Sequence, residues 1–170
     1  MDTFNKLISN TKHLTNIIYN NIGIGEATQD VILHKSSEIS ALASVYKRNL
    51  EHINLTLDLT EKIQITTLDE YCLTNKIENI DFLKLDVEGN EYNSFLGANR
   101  LISEKRIRFI QFEMGGCNID SKVFWKDIYQ LLNRNYKLYR IVGDGLVEFT
   151  KYEEFHEIFV YSNYFAELRK

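Results

Sequence analysis

The fold of this chain turns on residues 80–91, I-D-F-L-K-L-D-V-E-G-N-E (Ile80–Glu91). A mostly apolar run, Ile80 to Val87, stops abruptly at Asp86, Glu88, Gly89 and Glu91. A run of that length bounded by glycine predicts a strand buried on both faces, as in a parallel sheet. Its acids then fall at the carboxyl end, the edge of an open α/β sheet where ligands bind. Tyr92-Asn93-Ser94-Phe95-Leu96 follows with apolar residues at i, i+3 and i+4, so a helix is expected from about Glu91 to Ile102 or beyond.

Working outward, Ile63-Gln64-Ile65 predicts a short strand. Thr67-Leu68-Asp69-Glu70 has the spacing of a capping box, with a helix ending near Asn75. On the far side, Arg106–Glu113 predicts the next strand, again ending in an acid, and Gly115-Gly116 a loop. Ser121–Asn133 carries a helical stripe, Tyr136–Val142 a strand, and Gly143-Asp144-Gly145 a hairpin turn into Leu146–Phe149. Glu157–Tyr161 reads as a last strand followed by a C-terminal helix. Upstream, residues 2–12 predict an amphipathic helix. Leu14–Ile22 and Ala27–His34 predict antiparallel strands about a Gly23-Ile24-Gly25 turn, and Ser36–Glu51 a helix. Asn49–Leu59 is expected to be a mobile connection. The sum is a doubly wound α/β sheet with an antiparallel excursion at its end.

Bulk properties narrow the classes. With 170 residues, 44% apolar and 26% charged, the chain suits one globular domain. A net charge of −4 without a basic face argues against a nucleic-acid partner. No apolar run approaches the ~20 residues of a membrane span, and the first residues lack the pattern of a secretion signal. Cys72 and Cys117 stand in unlike contexts and read as buried thiols of a cytoplasmic protein. His13, His34, His52 and His156 lack metal-ligand spacing with one another or with a Cys, which argues against zinc. Gly23-Ile24-Gly25 is not followed by a helix, which argues against a nucleotide-binding glycine loop and against an NAD-binding half.

The candidate chemistry lies at two strand ends. Asp86 and Glu88 end one strand and Glu113 the next, and consecutive strands of this kind are usually neighbours. Converging carboxylates can take a proton from a hydroxyl, bind a ribose or hold a hard cation. Lys84 shares a face with Phe82 and Asp86 in a strand expected to be buried, so it must pair with Asp86 or Glu113, or snorkel out.

The signature Ile80–Glu91, followed by Phe95-Leu96-Gly97-Ala98, resembles that of FkbM-type methyltransferases. Ile65–Tyr71, Ile107–Glu113, Gln111–Ser121 and Tyr136–Ile141 are similar to other segments of that family, and the resemblance is strongest over residues 63–150. It implies a class I methyltransferase (Rossmann-like) sheet, S-adenosylmethionine as cofactor, and O-methylation of a sugar or natural-product hydroxyl. The family's glycine-rich cofactor loop and its ribose-binding acid do not occur in the sequence. The matched domain is therefore expected to be truncated or split, lacking the first two strands. Phe4–Asn10 then matches the helix after the second strand and Leu14–Ile22 the third strand. Ile80–Val87 is expected to keep an open edge that invites a second copy or a complementing N-terminal fragment.

By position in this resemblance, Asp86, Glu88 and Glu113 are expected to be catalytic, and Asn21 and Asp86 to meet the cofactor. Lys84, Glu91 and Asn118 are expected to meet a small-molecule or glycan acceptor. An all-oxygen Mg²⁺ site from Asp86, Glu113 and Asn118 is a minor alternative. The competing functional expectation is an inactive remnant serving as a binding or scaffold module.

Overall fold

The computed structural model describes residues 2–36 and 41–170. The architecture is mixed α/β with two sheets. The first helix, α1 (Asp2–Thr11), forms where the stripe predicts it, with Phe4 half-buried and Leu7 half-exposed. It is followed by β1 (Gly23–Ile24), β2 (Gln29–Lys35) and β3 (Leu59–Thr66). These three build the smaller sheet in the order β1-β3-β2.

Three expectations for this region fail. Leu14–Ile22 forms no strand, and Ile18 is 85% exposed. Its last two neighbours, Gly23 and Ile24, pair instead in parallel with Ile65 and Thr66. β2 is antiparallel to β3, not to the segment before it. The apolar residues of Leu14–Ile22 were the signal for a strand, but a strand needs a hydrogen-bonding partner and none adjoins them among the described residues. The helix expected over Ser36–Glu51 falls partly on residues 37–40, outside the described residues. Over 41–50 the chain is irregular, with Ser44 bridged to His34 and Leu50 to Leu55.

The larger half begins at α2 (Leu68–Thr74). Thr67 caps it by accepting the Glu70 N–H at 3.0 Å. Glu70 does not reach back as a full capping box requires; its carboxylate takes the hydroxyls of Thr28 and Thr66 instead. β4 (Ile80–Leu85), α3 (Glu91–Leu96), α4 (Asn99–Ser103) and β5 (Ile107–Met114) follow. Then come α5 (Cys117–Ser121), α6 (Trp125–Leu132), β6 (Tyr136–Val142), β7 (Gly145–Glu148) and β8 (Ser162–Leu168). The five strands order as β4-β5-β8-β6-β7. β4 and β5 are parallel and the other pairings antiparallel. The predicted hairpin is present, with Val142 opposite Gly145.

The one helix expected from Glu91 is broken at Gly97-Ala98. A Cβ on Gly97 would lie 2.0 Å from the Gly25 carbonyl oxygen, so the glycine lets the end of β1 seat against the break. Asp69 accepts the N–H groups of Arg100 (2.8 Å) and Leu101 (3.1 Å) and so caps α4. The helix expected over Ser121–Asn133 starts later, as α6, and is capped by Glu157 through the N–H groups of Trp125 and Lys126; the short α5 precedes it. The C-terminus reverses the prediction: residues 157–161 form no strand, and Ser162–Leu168 is strand rather than helix. It sits between β5 and β6, where both of its edges are paired.

One face of this sheet carries the core. Ile110, Phe112, Leu138, Tyr164 and Ala166 lie against Phe95, Leu101, Trp125 and Ile128, all 0–1% exposed. Burying each large apolar side chain is worth ~1.5–3 kcal/mol. The opposite face shows Phe82, Lys84, Phe109, Gln111, Asn163 and Phe165, half-buried or exposed. β4 is therefore not buried on both faces. It pairs only with β5 among the described residues, and Phe82 is 51% exposed.

Candidate functional site

The D-V-E-G-N-E turn leaves β4 through two residues with positive φ, Glu88 (51°) and Gly89 (102°). A Cβ at Gly89 would lie 3.1 Å from the Cys117 carbonyl oxygen, so the turn presses directly on α5. Glu91 holds it from beneath: 0% exposed, its carboxylate accepts the N–H groups of Val87 (3.1 Å) and Gly89 (3.0 Å). Burial outweighs those two bonds and raises its pKa to about 7. Expected to meet the acceptor, Glu91 is instead wholly enclosed and shapes the turn.

Glu88 points into a network that the sequence did not reveal. Its carboxylate takes Arg48 Nη1 at 2.8 Å, while Arg48 Nε lies 3.5 Å from Asp120. The Ser44 hydroxyl donates to the Glu88 carbonyl oxygen at 2.7 Å. Arg48 and Ser44 come from the irregular segment before β3, which has no periodic pattern to mark them. Burial raises the Glu88 pKa, and the Arg48 guanidinium opposes it.

Glu113, at the end of β5, is 8% exposed. Burial first, then the charges of Glu88, Asp86 and Glu91, push its pKa up to about 7, against Lys84. No side chain or N–H among the described residues hydrogen-bonds its carboxylate. Lys84 and Asp86 pair with each other, both about half exposed. Lys84 thus makes one of its expected pairings, but at the surface, because β4 is an edge strand.

Among the described residues, Glu88, Glu113 and Cys117 each offer a ligand atom within 4.8 Å of the other two. The Asn118 side-chain oxygen Oδ1 is already engaged by the Gly115 N–H at 2.8 Å, and Asn118 is 1% exposed. Burial holds the Cys117 thiol protonated, its pKa raised to about 12. Both cysteines are buried and free of any disulfide, and the Cys117 thiol donates to Asn118 Oδ1 at 3.5 Å.

Asn21 is not with these groups. It lines a cleft of about 360 Å³ beside the small sheet with Phe4, Ile22, Leu33 and Lys35, and no rim acid contributes to that cleft. The residues described do not by themselves build a pocket for S-adenosylmethionine: the rim gathers the carboxylates of Asp86, Glu88 and Glu113, and the cleft at Asn21 lies apart from it.

A family model, the methyltransferase FkbM domain, matches residues 5–140. The chain belongs to the FkbM methyltransferase family. The matched span runs from α1 into β6 and contains every rim residue named above. No curated protein matches the chain. Among solved structures, methyltransferase FkbM from Methylobacillus flagellatus KT is similar at 16% identity with a TM-score of 0.47, over 96% of this chain and 33% of that one. The chain thus spans about a third of the length of that FkbM protein. Among the described residues no helix is long and apolar enough to cross a membrane.

Proposed function

We propose that this chain is the acceptor-side part of an S-adenosylmethionine-dependent O-methyltransferase acting on a sugar or related hydroxyl, with Glu113 as the base. The observation that carries this is a nearly buried carboxyl, raised to about 7, at the carboxyl ends of two parallel strands. A base is most effective when its pKa lies near the working pH. Glu113 takes the proton from the acceptor hydroxyl as the oxygen becomes a nucleophile. Glu88, fixed by Arg48, sets the charge beside it, and Asp86 with Lys84 lines the outer rim. The cofactor, when bound, supplies the electrophilic methyl group.

The order β4-β5-β8-β6, with only its first pair parallel, supports the class I reading. We place the cofactor side of the pocket across the free edge of β4, contributed by a complementing segment or a second copy. The cysteines, free of any disulfide, fit a reducing cytoplasm.

The test is calorimetric titration with S-adenosylhomocysteine, paired with transfer of labelled methyl from S-adenosylmethionine to glycoside hydroxyls. Transfer that is lost in Glu113→Gln supports the reading. A folded chain that neither binds nor transfers, even when an N-terminal cofactor-loop segment of a family member is added, favours the second reading, a non-catalytic binding module. That reading draws on the Glu88 carboxylate being already occupied by Arg48.

A further inference from the structure

Beside Glu113 stands a group of side chains that the reaction as described does not use. β5 and β8 bring Glu113 opposite Asn163 and Gln111 opposite Phe165. Residues paired across antiparallel strands share a face, so Gln111, Glu113 and Asn163 lie on one side of the sheet. Gln111 Nε2 donates to Asn163 Oδ1 at 3.1 Å, and Asn163 Nδ2 donates to the Tyr161 hydroxyl at 3.2 Å. Tyr161 itself is 67% exposed. Its backbone rests on the loop after Glu113: a Cβ at Gly115 would lie 3.1 Å from Tyr161 Cα.

An exposed tyrosine is ordinary. One whose hydroxyl is tied to an amide pair, and whose backbone is wedged against the loop beside a buried carboxyl, is a preset surface. The amide pair also keeps unused capacity. Each amide offers two donors and a twice-accepting oxygen, and only one bond joins Gln111 to Asn163 and one joins Asn163 to Tyr161. A secondary hydroxyl, which both donates and accepts, is the group such amides match. Asn163 and Tyr161 lie beyond residue 140, outside the span that the family model covers.

Resting on the methyltransferase reading, we infer that Tyr161, Asn163 and Gln111 form the acceptor-ring subsite, selecting a pyranoside. The Tyr161 ring covers the apolar C–H face of the sugar. Asn163 and Gln111 hold a vicinal pair of hydroxyls, and the next hydroxyl is directed at Glu113. Phenol would use the ring but offer the amides only one hydroxyl; cyclohexanol would likewise supply only one, without a pyranoside's vicinal pair.

The experiment is saturation-transfer NMR on the 170-residue chain with methyl α-glucopyranoside and methyl α-mannopyranoside, beside phenol and cyclohexanol. At least one glycoside is expected to take saturation on one ring face, with the two controls weaker. Tyr161→Ala and Gln111→Ala are each expected to weaken glycoside binding about 10-fold, the scale of one lost aromatic or polar contact. Tyr161→Phe should retain most binding, because the ring remains. Wild-type affinity in Tyr161→Ala, equal binding of phenol, or no glycoside signal overturns the subsite. No cofactor enters this measurement. Loss of glycoside binding with S-adenosylhomocysteine binding intact therefore defeats the subsite alone, whereas glycoside binding without methyl transfer, even with an N-terminal cofactor-loop segment of a family member added, supports it and defeats the enzymatic reading.

Discussion

Arg48 and Glu88 form an ion pair at 2.8 Å with side chains only 8% and 16% exposed, joining the irregular segment before β3 to the turn that ends β4. Taking one charge away leaves the other enclosed without compensation, which is costlier than never having had the pair. Arg48→Ala should therefore lower the unfolding free energy by about 3 kcal/mol in a urea titration. Adding Glu88→Gln to it should restore part of the loss. An unchanged midpoint in the single variant would mean that the pair is solvated in solution.

Glu91 gives the fold a pH dependence of unusual sign for a carboxylate. Its folded pKa, about 7, lies above the ordinary value of 4.5. Between those values the folded chain holds a proton that the unfolded chain has released, so stability falls as pH rises. The contribution is complete below pH ~4.5 and gone above pH ~7, an effect of up to about 3 kcal/mol. Glu113 is shifted in the same direction. Thermal midpoints across this range should decline in the wild type and decline less in Glu91→Gln. A wild-type profile that rises from pH 5 to 7 would contradict the enclosed position of Glu91.

Gly97 explains why the signature continues as Phe95-Leu96-Gly97-Ala98. With the Gly25 carbonyl oxygen 2.0 Å from any added Cβ, Gly97→Ala must part α3 from the end of β1. It would also strain the contacts from Asn90 Nδ2 (3.0 Å) and the Ser94 hydroxyl (3.2 Å) to the Ile24 carbonyl oxygen. A loss of about 1–3 kcal/mol is expected, as for other overpacked sites. Faster amide exchange at Ile24 and Gly25 should accompany it. Wild-type exchange there would show that the two elements do not depend on this contact.

What could be read from the sequence was what short range determines. The Thr67 cap, the Gly143–Gly145 turn and the strand ending at Glu113 each carry their cause within a few residues. β1 does not: its partner, Ile65-Thr66, lies some forty residues on, and nothing in Gly23-Ile24 announces it. Ser162–Leu168 is a strand where the sequence suggests a helix, although Tyr164 and Ala166, both 0% exposed, alternate as a strand requires. The cue was there, but the segment is short and its two partners are distant. The rim acids followed from topology, since parallel neighbours align their ends. Arg48, Ser44 and the enclosure of Glu91 did not, because they depend on how a segment without periodicity folds over the turn.

Glu113 is where the functional reading is most exposed to test. As the base it must be ionised, and its pKa is raised to about 7 by burial and by the neighbouring acids. The rate of methyl transfer at low acceptor concentration should therefore rise with pH through about 7 and level off above it. Glu113→Gln keeps the shape and removes the charge; the rate constant should fall by about 10²–10⁴-fold, the range of general-base catalysis, while the fold stays intact. Substitution of Asp86 should act differently. It removes one of the charges that raise Glu113, so Asp86→Asn should move the inflection of the pH–rate curve below its wild-type position. An inflection that stays in place in Asp86→Asn, or a Glu113→Gln chain that keeps its rate, would assign proton removal to another group.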